Sequence, residues 1–194
     1  LILIFLFCIT SNLSYAIVNI FACEPEWEAL AKEIGGEKVK TFSATHAKQN
    51  PHYIRARPSL INKAVKADII FCSGASLEVG WLPLLLQKAR GSVQPGTEGH
   101  LMASDYVKVL EKTMTADRSM GDVHPEGNPH VHLNPHNISL IAKELTKRLE
   151  LIDVTNQSFY RSRLDGFILR WEEAINKWEK NSSELKGMQV VIHH

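Results

Sequence analysis

Residues 17–44 read IVNIFACEPEWEALAKEIGGEKVKTFSA, and the fold follows from how these residues divide. "IVNIFA" (17–22) is a short apolar run with the length of a buried strand. "EPEWEALAKEIGG" then places Trp27, Leu30, Ala31 and Ile34 on one helical face, with Gly35-Gly36 as the stop. "KVKTFSA" (38–44) alternates like a second strand. Working outward, "THAKQNPHYIRA" is a loop, and a helix runs from Ser59 through about Lys66 on Leu60, Ile61, Ala64 and Val65. "ADIIFCSG" (67–74) is a third strand that ends at Gly74. Strand, helix, strand, helix, strand predicts an α/β fold, a parallel sheet flanked by helices.

Beyond it, Leu82 to Arg90 reads as a helix after Trp81. Residues 91–129 are loop-rich, with a further strand expected near Tyr106–Leu110. Asn134-Pro135 has the form of an N-cap followed by proline at the first helical position. Ile138, Ile141, Ala142, Leu145 and Leu149 mark one face of the helix that follows, ending near Glu150. In "NQSFYRSRLDGFILRWEEAINKWEKNSSELKG", Tyr160, Leu164, Phe167, Trp171, Ile175 and Trp178 recur at three- and four-residue steps. The opposite face is charged. This is one long backbone helix, a core helix on the plain reading and a strut on the other. "GMQVVIHH" (187–194) then opens a new strand that has no sheet to join, so a second domain is expected beyond it.

Composition is that of an ordinary globular chain, with 44% hydrophobic and 22% charged residues. The 22 basic and 21 acidic residues are dispersed and leave a formal charge of +1, which gives no electrostatic case for nucleic acid. "LILIFLFCITSNLSYA" has an apolar stretch from Leu1 to Ile9, a polar segment, and small residues at Ser14 and Ala16. That is the pattern of a partial secretory signal over 1–16, the alternative being a buried strand or helix. The apolar run is far short of the ~20 residues of a membrane span. Cys8 would leave with the signal. Cys23 and Cys72 both follow apolar runs, and two readings stand side by side: a disulfide, suited to an exported protein, or two buried thiols.

Nine histidines are distributed unevenly, with His124, His130, His132 and His136 inside "GDVHPEGNPHVHLNPHN" (121–137). Imidazole is a preferred ligand for Zn²⁺ and its neighbours. A metal site needs ligands from separate segments, and in parallel α/β folds these meet at the carboxyl ends of the strands. "QNPHY" (49–53), "GNPHVH" (127–132) and "VVIHH" (190–194) are such segments. Asn50-Pro51-His52 and Asn128-Pro129-His130 repeat one tripeptide, in which proline stiffens the backbone that aims the imidazole. His132 reads as a rim or supporting residue and His136 as a helix-start residue. His124 lines an approach or lies on the surface, and His46 and His100 are expected on the surface. His193 and His194 point to opposite faces of a strand, so only one of them faces the site.

Together, "EIGGEKV", "QNPHYIRARPSLI", "KADIIFCSGASLEVGW", "GNPHVHLNP" and the closing "VVIHH" resemble the metal-binding solute-binding proteins of bacterial ABC transporters, the zinc- and manganese-uptake family. The resemblance covers nearly the whole chain after the signal. It implies two α/β lobes joined by one long helix, with metal in the cleft between them. The chain then divides into a lobe at 17–155, the interlobe helix at 156–186 and the first strand of a second lobe at 187–194. The matching motifs imply His52, His130 and His194 as metal ligands, with a fourth from the second lobe. A histidine at the third position resembles the zinc importers, glutamate there the manganese importers, so Zn²⁺ is expected and Mn²⁺ is the lesser alternative. The chain departs from the family at Asn50 and Asn128, where aspartate is usual.

The function implied is a monomeric periplasmic receptor that passes metal to an ABC permease in the inner membrane, without catalysis. One rival is a zinc hydrolase or lyase using His130, His132 and a distant histidine around an open position for water. Its general base would have to be Glu78 or Glu126, both of which read more simply as structural. A surface adhesin of the same family is the other rival.

Overall fold

The computed structural model describes residues 17–112 and 124–189. The signal at 1–16 and the closing Val190–His194 lie outside the described residues. Four strands form one sheet: β1 (Val18–Ala22), β2 (Val39–Ser43), β3 (Ile69–Cys72) and β4 (His100–Met102). Their order is β2-β1-β3-β4 and every pairing is parallel. The connections carry α1 (Pro25–Gly35), α2 (Pro58–Val65) and α3 (Leu82–Leu86), as parallel strands require a crossover.

Side-chain alternation along the inner strands divides the interior into two layers. Ile20, Ala22, Ile69 and Phe71 face one core, built with Trp27, Leu30 and Ile34 of α1. Phe21, Cys23, Ile70 and Cys72 face the other, where Leu60, Ala64, Trp81 and Leu85 cover them. Covering both faces explains why β1 and β3 read as continuous apolar runs. Over the first core lie α4 (Pro135–Ile152) and α5 (Gln157–Asn181), through Ile141, Leu145, Leu149, Tyr160 and Phe167. The expected α/β class, parallel sheet and long helix are all present.

Three expectations are corrected. The fourth strand is not at Tyr106–Leu110: Ala103–Tyr106 is a 3-10 helix, and His100–Met102 pairs with β3 instead. A three-residue strand is too short to show a period, and backbone pairing such as Ile70 N–H to Gly99 C=O (2.8 Å) defines it. The helix after Trp81 stops at Leu86 rather than Arg90. His100 is not a surface residue. It is half-buried, its Nδ1 is 3.1 Å from the Val93 carbonyl, and burial lowers its pKa.

The long helix changes environment along its length. Its first half is a core helix, with Arg163 donating to the Glu33 carbonyl and Trp171 Nε1 donating to the Pro135 carbonyl at 2.8 Å. From Asn176 to Gln189 every residue is exposed. Among the described residues, no helix is long and apolar enough to cross a membrane.

Candidate metal centre

The Asn-Pro-His tripeptides are built alike. The Asn50 side-chain oxygen accepts the His52 backbone N–H at 2.9 Å, and Asn128 does the same for His130 at 3.0 Å. Asn134 repeats it a third time on His136 at 3.1 Å, where it caps α4. Asparagine is suited to this turn because its side-chain carbonyl reaches the N–H two residues on. Proline between them removes a competing donor and holds φ. The asparagine side chains thus bond the backbone of each turn. They set the backbone from which the imidazole projects, and the third copy in the sequence was the signal for that role.

Each turn is also anchored to the scaffold. Trp81 Nε1 donates to the Pro51 carbonyl at 2.8 Å, tying the His52 turn to the start of α3. Trp81 is fully buried, so the anchor is rigid. Gly127 precedes the second turn with φ +105°, and a Cβ there would lie 2.5 Å from the Leu110 carbonyl oxygen. Asn128 N–H bonds that same carbonyl at 2.8 Å, and its side-chain amide donates to Glu111 at 2.9 Å. The close approach of the Leu110 backbone thus requires glycine.

The histidines pair. The rings of His52 and His124 stack with centroids 4.9 Å apart and planes 25° apart. His130 and His132 meet edge to face at 6.0 Å, and His132 stands edge to face on Trp27 at 6.2 Å. Trp27 lies in the first turn of α1, directly after the carboxyl end of β1. The 124–132 segment therefore spans from the His52 turn to the carboxyl edge of the sheet. His132 Nδ1 is 3.3 Å from Glu26 Oε1 and makes no hydrogen bond among the described residues. His136 is on the surface, its Nε2 2.9 Å from Glu179 of α5, and His46 is exposed. His194, the third expected ligand, and its neighbour His193 lie outside the described residues.

Beneath this edge is a second polar cluster that the sequence did not disclose. Cys23 and Cys72, at the ends of the adjacent strands β1 and β3, form a disulfide with Cα atoms 4.8 Å apart. Glu24 and Glu78 are each 3% exposed. Glu78 accepts the backbone N–H of Ser73 at 2.8 Å and of Gly74 at 3.2 Å. Glu24 accepts the Ser73 hydroxyl at 3.1 Å, and that hydroxyl accepts Trp27 Nε1 at 2.9 Å. Burial pushes the Glu78 carboxyl up to about 7, against the pull of those backbone donors. Burial, and then the neighbouring Glu78 charge, holds Glu24 well above the usual carboxylate range. Glu78 thus closes the loop after β3 through two backbone hydrogen bonds, and Glu126 lies exposed in the approach to the second turn.

The structure thus combines a parallel sheet covered by helices on both faces, one long helix, and stiffened histidine turns. The sequence profile of the family described as "Zinc-uptake complex component A periplasmic" matches residues 20–194, and the chain belongs to that family. Among relatives, it is 27% identical over 158 residues to the manganese ABC transporter substrate-binding lipoprotein PsaA of Streptococcus anginosus, covering 80% of this chain and 47% of that protein. It is 25% identical over 178 residues to the metal ABC transporter substrate-binding lipoprotein ScbA of Streptococcus cristatus, covering 90% and 54%. The chain spans about half the length of the curated relatives it matches. Its fold superposes on a manganese-bound periplasmic metal-binding protein of Candidatus Liberibacter asiaticus with a TM-score of 0.62 at 18% identity, over 87% of this chain and 56% of the other. A crystal structure of ZnuA gives 0.60 at 19% identity, over 80% and 55%.

Proposed function

We propose that this chain is the metal-capturing part of an extracytoplasmic receptor that binds Zn²⁺ and delivers it to an ABC permease. The observation that carries the reading is the pair of identically built Asn-Pro-His turns, each hydrogen-bonded to a neighbouring segment, in a chain of the zinc-uptake family. His52 and His130 are assigned as ligands, with His194 as the third and a carboxylate beyond this chain as the fourth. The division at 17–155, 156–186 and 187–194 is part of the same reading, as are export through the 1–16 segment, a monomeric state and an inner-membrane permease as partner. Zn²⁺ is preferred over Mn²⁺ because the ligand set is rich in imidazole, whereas Mn²⁺ takes a larger share of carboxylate and water oxygen. Relatives named for manganese make this the point most in need of measurement.

The metal is cargo, and no bond is made or broken. A hydrolase would need a base beside the metal. Glu78 is occupied by two backbone donors below the sheet edge, which supports the non-catalytic reading.

The test is calorimetric titration of the chain, extended to its natural end, with Zn²⁺ and Mn²⁺. One-to-one zinc binding at least tenfold tighter than manganese, lost in both His52→Ala and His130→Ala, is expected. Binding unchanged in both variants would exclude the assigned site; manganese binding as tight as zinc would exclude the preference alone.

A further inference from the structure

Among the described residues, three metal-ligating side chains converge in a place that the histidine site does not use. The sulfurs of Cys23 and Cys72 and a carboxylate oxygen of Glu78 lie within 4.8 Å of one another, and all three residues are buried. Glu24 adjoins them through Ser73 and through direct contact of its buried carboxyl with that of Glu78. The strand ends hold the group rigidly, because Cys23 N–H bonds the Phe71 carbonyl at 2.8 Å and Thr45 bonds the Cys23 carbonyl at 2.9 Å.

As a disulfide, the two sulfurs carry no thiolate charge and ligate poorly. As thiols they are two soft ligands beside a hard one, a set that selects Zn²⁺ and similar soft or borderline cations. We propose that Cys23, Cys72 and Glu78, with Glu24 as the adjoining fourth group, form a metal centre for a thiophilic divalent cation whenever the chain folds with its cysteines reduced. Disulfide and metal are then alternative cross-links between β1 and β3. The ion replaces two thiol protons, which are released, and forms two metal–sulfur bonds of about 2.3 Å if it is zinc. Both cysteines are 0% exposed, so the ion is captured as the chain folds rather than by entry into the finished core.

Cadmium is the probe, because its thiolate complexes show an ultraviolet charge-transfer band that imidazole complexes lack. The chain carrying Cys8→Ser, His52→Ala and His130→Ala is unfolded in urea with a phosphine, which reduces the disulfide to two thiols as it becomes the phosphine oxide, with water supplying the oxygen and the protons. It is then refolded with Cd²⁺ and freed of excess metal by gel filtration. The expected result is a folded chain retaining one cadmium, with the charge-transfer band. The same chain refolded oxidised shows no band, Cys72→Ser loses it, and Glu78→Gln keeps it while weakening retention by about tenfold or more. A reduced chain that folds without the band overturns the proposal. So does a reduced chain that fails to fold even with cadmium, since the metal would then not replace the cross-link. A band whose affinity Glu78→Gln leaves unchanged overturns it too, by showing a two-thiolate adduct without the carboxylate.

Discussion

At the scale of single residues, the asparagine before each proline matters more than its chemistry alone suggests. Asn50 and Asn128 each hold a histidine N–H with a side-chain oxygen. Aspartate has an oxygen in the same place, so Asn50→Asp should keep metal affinity within about twofold, whereas Asn50→Ala should weaken it by roughly fivefold, given a hydrogen bond worth about 1 kcal/mol. Calorimetric titration of the two variants distinguishes these outcomes. Gly127 is the other sensitive residue. Gly127→Ala combines a left-handed φ with a clash against the Leu110 carbonyl, and urea unfolding should show a loss of about 1–3 kcal/mol. The buried carboxyls give a pH signature. Glu78 has a folded pKa near 7, above its ordinary value, so the folded state holds the proton more tightly than the unfolded chain does. Its contribution is complete below about pH 4.5 and is lost as pH rises towards 7, by no more than about 3 kcal/mol. The groups facing it are Glu24, which shifts the same way, and the Ser73 and Gly74 amides. Urea midpoints of the oxidised, metal-free chain should fall across that range, and Glu78→Gln should flatten the fall.

At the scale of elements, the sheet and the helices have different legibility. β1, β3 and α1 were read from sequence because buried parallel strands and an amphipathic helix each leave an unmistakable pattern. β4 left none: three residues acquire strand geometry only by pairing with β3. The long helix shows how one pattern serves two environments. Its apolar stripe continues from Tyr160 to Trp178, yet Phe167 is 8% exposed and Trp178 is 46% exposed. Phe167→Ala should therefore cost about 3 kcal/mol or more in urea unfolding, through loss of its packing in the main core. Trp178→Ala should cost about 1 kcal/mol or less, mainly through its edge contact with Trp171. Equal costs would mean that the terminal turns are packed in solution.

At the scale of the whole molecule, the residue types of the candidate centre were legible and its assembly was not. Nine histidines and the repeated tripeptide marked the chemistry, since imidazoles aimed by proline turns are local features written in local sequence. That His52 stacks on His124, that His132 leans on Trp27, and that Trp81 anchors Pro51 are contacts across 72, 105 and 30 residues of chain. No pattern within a segment specifies them. The cysteines make the same point. Cys23 and Cys72 could be placed at strand ends by reading, but bridge and free thiols remained equal until the parallel register brought β1 beside β3. Sequence by itself determined the class of fold, the long helix and the histidine turns, because periodicity, capping and turn chemistry act between near neighbours. Only the tertiary structure decided the fourth strand, the disulfide and the buried Glu24–Glu78 cluster, because burial and pairing are properties of residues that meet only after the chain has folded.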